Sequence, residues 1–137
     1  MSAYKLRQAI PSDINFIYST WLDSYRYDST IGKSCPNSTF YPNYQQVIDN
    51  LLKDSDVLVA CHDESPEVIF GYLVYDSDII HYCFVKQAFR ELGLAYAMWR
   101  EAQFPLTFTH KTLSLEPILI KHKELKYNPF LLFQGVV

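Results

Sequence analysis

Arg90, Gly93 and Ala95 form an Arg-x-x-Gly-x-Ala pattern that is suited to binding an anion. A strand-like apolar run, 79–85, precedes the pattern, and a run with helical spacing, 88–102, contains it. The first turn of a helix carries main-chain N–H groups without helical partners, and the helix dipole is positive at this end. Because Gly93 has no Cβ, a phosphate can approach the main chain closely. The pattern therefore predicts a phosphate site at the start of a helix.

Other patterns that carry chemistry are incomplete in this sequence. The Gly-Lys-Ser run at 32–34 lacks the upstream glycine and the apolar strand of a nucleotide-binding phosphate loop. The four histidines do not have the spacing of metal ligands, so we expect no metal. Cys35, Cys61 and Cys83 are odd in number and form no Cys-x-x-Cys pair. Reduced thiols are therefore expected.

Length and composition favour one folded domain over residues 1–137. Of the 137 residues 49% are hydrophobic, which is enough to build one core. The net charge of -3 argues against a nucleic-acid-binding surface. No apolar run reaches the ~18 residues of a membrane span, and the first residues lack the apolar core of a signal peptide. We expect a cytoplasmic protein without nucleic-acid or membrane partners.

The hydrophobic periodicity predicts a mixed α/β domain. Apolar residues at helical spacing predict helices over 11–25, 44–53, 88–102 and 115–125. Apolar or alternating runs predict strands over 4–9, 57–61, 68–75, 79–85, 106–109 and 130–133. Glycine and prolines among polar and aromatic residues predict a long loop over 28–42.

Connection lengths between these elements predict the sheet topology. Short turns join the strands between residues 57 and 85, so these strands should be antiparallel. A helix separates strand 79–85 from strand 106–109, so this pair should be parallel with a right-handed crossover. The prediction is an α/β fold with a mixed, mostly antiparallel sheet and helices on both faces.

The element order and the Arg90-x-x-Gly93-x-Ala95 loop resemble the GNAT superfamily of acyl-CoA-dependent N-acyltransferases. The opening strand 4–9, followed by Pro-Ser-Asp at 11–13 and an apolar helix, is also similar to the start of that family. The resemblance implies that the two parallel strands splay apart. The short chain is similar to compact, phage-encoded members.

The resemblance also implies acetyl-CoA as the co-substrate and an amine as the acceptor. In the family, the pantetheine arm pairs with the strand before the loop, and the pyrophosphate lies on the N–H groups of the loop. Carried over by position, the pantetheine residues are Phe84, Val85 and Lys86. The pyrophosphate residues are Arg90, Glu91, Leu92, Gly93, Leu94 and Ala95.

Acetyl transfer to an amine requires a base for the amine, a donor to the thioester oxygen and a proton for the departing thiolate. The resemblance implies that a main-chain N–H near Val85 is the donor. Tyr82 lies on the strand before the loop and Glu116 opens the predicted last helix, so both are candidate acids or bases. His81 and His110 are alternatives, although a lone strand histidine more often packs in the core.

The C-terminal part departs from the family pattern at the general acid. Family members often place a Tyr five residues before the Phe of a Gly-Phe pair. Phe130 matches that Phe, but Pro129 replaces the Gly and Leu125 occupies the Tyr position. Tyr127 lies two residues away and is the candidate acid. The alternative is a Tyr that only packs before a turn.

Two functions of different classes remain open. The first is an N-acetyltransferase in which a primary amine of a small molecule or protein attacks acetyl-CoA directly, and the intact phosphate loop favours it. The second is a GNAT-fold interaction or structural module without turnover, such as one from a phage, and the Leu at position 125 favours it. The aromatic segment 25–44 either walls the acceptor cleft or forms a surface for a protein partner or a second copy.

Overall fold

A six-stranded sheet organises the fold in the computed structural model, which describes residues 4–90 and 92–133. The strands are β1 (Tyr4–Gln8), β2 (Asp56–His62), β3 (Ile69–Asp76), β4 (Ile79–Val85), β5 (Thr107–Phe108) and β6 (Lys126–Tyr127). The α-helices are α1 (Ile14–Tyr27), α2 (Thr30–Ser34), α3 (Asn37–Asp54), α4 (Leu94–Glu101) and α5 (Glu116–Lys121). Short 3-10 helices lie at Pro11–Asp13, Gln87–Phe89, Leu113–Leu115 and Pro129–Phe133.

The strands lie in sequence order across the sheet, and their directions confirm the predicted topology. The three pairs from β1 to β4 are antiparallel. β4 and β5 are parallel, with Ile79 opposite Thr107. β6 extends the sheet parallel to β5. The antiparallel pairs follow from tight turns and the parallel pair from the α4 crossover.

Helices cover both faces of the sheet, as predicted. Alternate residues of β2 point to opposite faces, so Val59 packs with α1 and α3 while Leu58 packs with α4. Trp21 of α1 and Met98 of α4 are fully buried, one on each face. No helix in the described part of the chain combines the length and apolarity needed to cross a membrane.

The predicted loop over 28–42 is wrong, because this segment forms α2 and the start of α3. Ser29 caps α2 by accepting a hydrogen bond from the Gly32 N–H at 2.9 Å. Phe40, Tyr44 and Ile48 lie four residues apart and are buried on one face of α3. The proline inside α3 hid this helical spacing. Phe40 and Tyr44 therefore belong to the core, whereas Tyr27 is 66% exposed, so only part of segment 25–44 is an aromatic surface. Its contact with an acceptor or a partner stays a prediction.

Three predicted elements near the C-terminus have other bounds. α4 begins at Leu94 rather than at residue 88, because Gly93 adopts a left-handed conformation at its N-cap. α5 ends at Lys121 rather than at 125. The predicted strand 130–133 is a 3-10 helix, and the last strand is instead β6, where the Lys126 N–H donates to the Leu106 carbonyl at 2.8 Å. A short apolar run does not by itself distinguish strand from helix.

Candidate active site

β4 and β5 share only their first residues and then diverge. The Thr109 N–H donates to the Ile80 carbonyl at 3.0 Å, just beyond the last residue of β5. β4 continues to Val85, so residues 81–85 have no β5 residue opposite them. The side chains of His81 and Thr109 meet at the apex, with Nδ1 and Oγ1 3.0 Å apart. The splayed strand pair therefore leaves one edge of β4 open.

A β-bulge decides which residues of β4 face this opening. Tyr75 pairs with Ile80 and Val74 pairs with Tyr82, which leaves His81 as the extra residue. The bulge changes which alternate residues of β4 direct their main-chain groups toward β5.

Beyond the bulge, Cys83 and Val85 face the open edge. The Lys86 N–H donates to the Phe70 carbonyl at 2.8 Å, so alternation directs the main-chain groups of Lys86 and Phe84 toward β3. Those of Cys83 and Val85 then point to the opening. Of the three predicted pantetheine residues, Val85 is the one whose main chain points there. The sequence analysis missed Cys83 because a bulge has no signature in this strand.

The start of α4 presents an open cradle of main-chain donors. Gly93 has φ 81°, and a Cβ built on it would meet no atom within 4 Å. The first helical bond runs from the Ala97 N–H to the Gly93 carbonyl at 2.9 Å, so the N–H groups of residues 93–96 lack helical partners. Among the described residues, no side chain caps this end, and no acidic residue lies in the first turn of α4. This geometry suits an anion.

The remaining predicted pyrophosphate residues differ in whether their side chains are available to this cradle. Arg90 turns back toward the strand, where its Nε donates to the Val85 carbonyl at 3.0 Å. Leu92 is 54% exposed, and Leu94 is buried against the sheet, so only its main chain is available. Glu91 lies outside the described residues.

Glu116 and Tyr127, two of the three predicted catalytic residues, line the same cavity of about 180 Å³. The cavity lies where the chain leaves β5, on the side of α1 and α2. Its other lining residues are Tyr25, Thr30, Ile31, Lys111, Thr112 and Leu113. The Tyr127 ring is held against Phe108, with ring centroids 5.3 Å apart. The structure thus brings a carboxylate and a phenol together.

Two hydrogen bonds that Asp28 accepts join the two walls of this cavity. The Asp28 carbonyl accepts from the Leu113 N–H at 2.7 Å, and its carboxylate accepts from the Ser114 N–H at 3.3 Å. These bonds connect the end of α1 with the segment that leads to α5. Tyr25 forms part of the α1 wall, and burial raises the pKa of its phenol to about 12. This phenol stays protonated at neutral pH.

Tyr82, the third predicted catalytic residue, lies in the core beneath α1. Its hydroxyl and Ser24 Oγ are 2.6 Å apart, and its ring stacks on Trp21 at 5.1 Å between centroids. Burial raises the pKa of this phenol. His81 and His110 are buried as well. A part for Tyr82 in proton transfer stays a prediction.

Lys111, Thr30 and Thr112 are polar residues of the cavity that the sequence analysis did not identify. Thr30 was hidden because its segment was predicted as loop rather than as α2. Lys111 directly follows the buried His110 at the end of β5, a position where side chains of a sheet often meet ligands. The position of Lys111 directly after a predicted strand was therefore the sequence signal that could have identified it.

Solved structures with this fold were found, although no protein-family model and no curated protein matches the sequence. A protein named as an acetyl transferase from Pyrococcus furiosus superposes with a TM-score of 0.57 at 16% identity, over 92% of this chain and 80% of that one. A GCN5-related N-acetyltransferase from Rhodopseudomonas palustris gives 0.51 at 14% identity, over 75% and 65%. This chain has the GNAT fold. Apo YjaB from Escherichia coli, at 12% identity and a TM-score of 0.52, also shares it over 73% of this chain.

The shared GNAT fold confirms the resemblance inferred from the phosphate loop and the element order. The chain spans 64% of YjaB and 65% of the Rhodopseudomonas protein, which is under two thirds of each. At these identities the likeness shows the fold alone. The identity of the acceptor and the roles of particular residues have to be inferred from the geometry of this protein's own site.

Proposed function

We propose that this protein is an N-acetyltransferase that moves an acetyl group from acetyl-CoA to a primary amine. The observation that carries the proposal is the cradle at the start of α4. Its N–H groups are open, and nothing lies within 4 Å of a Cβ built on Gly93. A pyrophosphate is the anion that this main-chain site would accept in a GNAT fold.

The open edge of β4 is where the thioester arm is proposed to bind. Cys83 and Val85 direct main-chain groups toward the opening, and the cradle begins a few residues later. An N–H from one of these residues would donate to the thioester oxygen as negative charge develops on it. Positioning of the two substrates then accounts for much of the rate.

The cavity on the α1 side is proposed as the acceptor site. The cradle belongs to α4, which packs on one face of the sheet, whereas the cavity lies beside α1 and α2 on the other face. The two substrates would therefore approach the splayed strands from opposite faces. Glu116 is proposed to take a proton from the amine and Tyr127 to supply one to the departing thiolate. Direct attack by the amine needs no covalent intermediate on the protein.

Calorimetry with acetyl-CoA tests the proposal, using Gly93→Val as the diagnostic variant. Its branched side chain would occupy the open cradle, at a φ of 81° that favours glycine. Ser77→Val is the matched control, because Ser77 also has positive φ, 53°, but lies in the exposed turn between β3 and β4. We expect wild type and the control to bind acetyl-CoA, and Gly93→Val to remain folded by circular dichroism without binding.

Two results would contradict this proposal. If wild type shows no heat with millimolar acetyl-CoA, the protein is not an acetyl-CoA enzyme. The alternative function, a GNAT-fold module without turnover, is then favoured. If Gly93→Val binds as tightly as wild type, the pyrophosphate lies elsewhere.

A further inference from the structure

Lys111 and Glu116 place opposite charges on the lining of one small cavity. In the described part of the chain they form no ion pair with each other within 4.0 Å. The Lys111 Nζ lies 6.0 Å from the centroid of the Tyr127 ring, which is itself packed on Phe108. A cation and an anion, both on exposed residues, thus lie at the same cavity without forming an ion pair.

From this arrangement, and resting on the proposed function, we propose that the acceptor is a small amine that carries its own carboxylate, such as an amino acid. Lys111 would bind the carboxylate and Glu116 the ammonium group. The phenol of Tyr25 and the hydroxyls of Thr30 and Thr112 lie on the same lining as further donors. Each charged end of a zwitterion then meets an opposite charge or a donor.

The size of the cavity favours a small acceptor over a larger one. Its volume of about 180 Å³ is below the roughly 300–1,000 Å³ of pockets for drug-sized ligands. The apolar part of the lining, Ile31 and Leu113, is small and leaves room for a short carbon chain. A simple alkylamine would leave Lys111 without an anion.

The proton and electron balance of the transfer fits these residues. Glu116 accepts one proton from the bound ammonium, which frees the nitrogen lone pair to form the N–C bond. The nitrogen, positively charged after attack, loses a second proton to water. The C–S bond then breaks, and its electron pair leaves with the sulfur of CoA. Tyr127 gives that thiolate a proton, and Glu116 and Tyr127 return to their starting states by exchange with solvent.

Matched acceptor pairs test the inference. β-Alanine and propylamine differ in the carboxylate, and L-alanine and L-alaninamide differ in its charge. We expect kcat/KM to be at least tenfold higher for the carboxylate member of each pair. Lys111→Gln should bring each ratio close to one, and Lys111→Glu should favour the amine that lacks the carboxylate. Lys123→Gln, at an exposed lysine outside the cavity, should leave both ratios unchanged.

Separate measurements distinguish this inference from the proposed function. Acetyl-CoA binding is measured by calorimetry without acceptor, and β-alanine binding by NMR titration without acetyl-CoA. If acetyl-CoA binds and amines are acetylated with no preference for the carboxylate, the acceptor class is wrong and the acetyltransferase proposal stands. If β-alanine binds in a Lys111-dependent way but acetyl-CoA does not bind, the cavity's ligand class stands and the proposed function fails. A preference that persists in Lys111→Gln overturns the assigned role of Lys111.

Discussion

Replacing His110 with phenylalanine should remove much of the acid sensitivity of this fold. His110 is 5% exposed and lies among the rings of Tyr25, Tyr44, Trp21 and Tyr82, with centroids 5.1 to 5.9 Å from its own. Its Nδ1 lies 3.0 Å from Thr109 Oγ1, whereas its Nε2 is buried and has no hydrogen-bond partner in the described structure. This burial, with a smaller contribution from the nearby His81, lowers the pKa of His110 to about 3.

The lowered pKa sets the sign and the size of the effect. In the unfolded chain His110 takes up a proton near pH 6.5, but in the folded protein it stays neutral until about pH 3. Stability is therefore lost as the pH falls through this window, because the unfolded state binds the extra proton. Between pH 7.5 and pH 4.5 the loss from this residue alone is about 3 kcal/mol, since each pH unit below 6.5 is worth about 1.4 kcal/mol. Phenylalanine cannot be protonated, fills the aromatic site and leaves Thr109 its partner His81.

Urea unfolding at pH 7.5, 6.0 and 4.5 measures the effect. We expect the wild-type free energy of unfolding to fall by about 3 kcal/mol more than that of His110→Phe over this range. His81 is also buried with a lowered pKa, so some acid sensitivity should remain in the variant. His122→Gln, at a histidine whose side chain is 37% exposed, should behave like wild type. Equal losses in wild type and His110→Phe would show that His110 is already accessible to protons.

Two further substitutions test how the sheet is held. Asp13 is 4% exposed and accepts two hydrogen bonds from Arg7, at 2.7 and 3.0 Å, so Asp13→Asn should cost about 3–5 kcal/mol in urea unfolding at pH 7. Because Arg7 lowers the pKa of Asp13, the Asp13 carboxylate stabilises the folded state above about pH 3.8, and this stabilisation is lost only as the pH falls further. An Asp13→Asn variant as stable as wild type at pH 7 would contradict this prediction. Gly71→Ala should lower the melting temperature, because the Cβ of the new alanine would lie 2.5 Å from the Phe84 carbonyl oxygen in the neighbouring strand. An unchanged melting temperature would show that β4 can shift freely.

Local signals were enough to predict the framework of the fold. The apolar run of β2 and the short turns on either side of β3 predict an antiparallel sheet, and the α4 crossover makes β4 and β5 parallel. The open turn at the start of α4 was also predictable, because a glycine at the start of a helix acts through its own backbone. Each of these features depends on residues close together in the chain.

Local signals did not predict the start of α3, where Phe40 was predicted to lie in a loop. The burial of Phe40 depends on packing against α1 and the sheet, and this tertiary packing overrides the proline inside the helix. Part of the exposed aromatic surface expected from composition is therefore buried in the core, while Tyr27 stays exposed. Composition reports how much apolar surface exists, and the folded chain decides which of it is buried.

Tertiary structure alone decided the cavity that Glu116 and Tyr127 line and the pKa of His110. Tyr25 and Lys111 are far apart in the sequence, and they meet because the Asp28 hydrogen bonds join the end of α1 to the segment after β5. Likewise, a histidine in a sequence has an ordinary pKa until other elements exclude water from it. The amino-acid sequence by itself determined the sheet and the left-handed turn before α4, since both arise from neighbouring residues. Charge placement and desolvation arise from residues distant in the chain, so only the folded structure determined them.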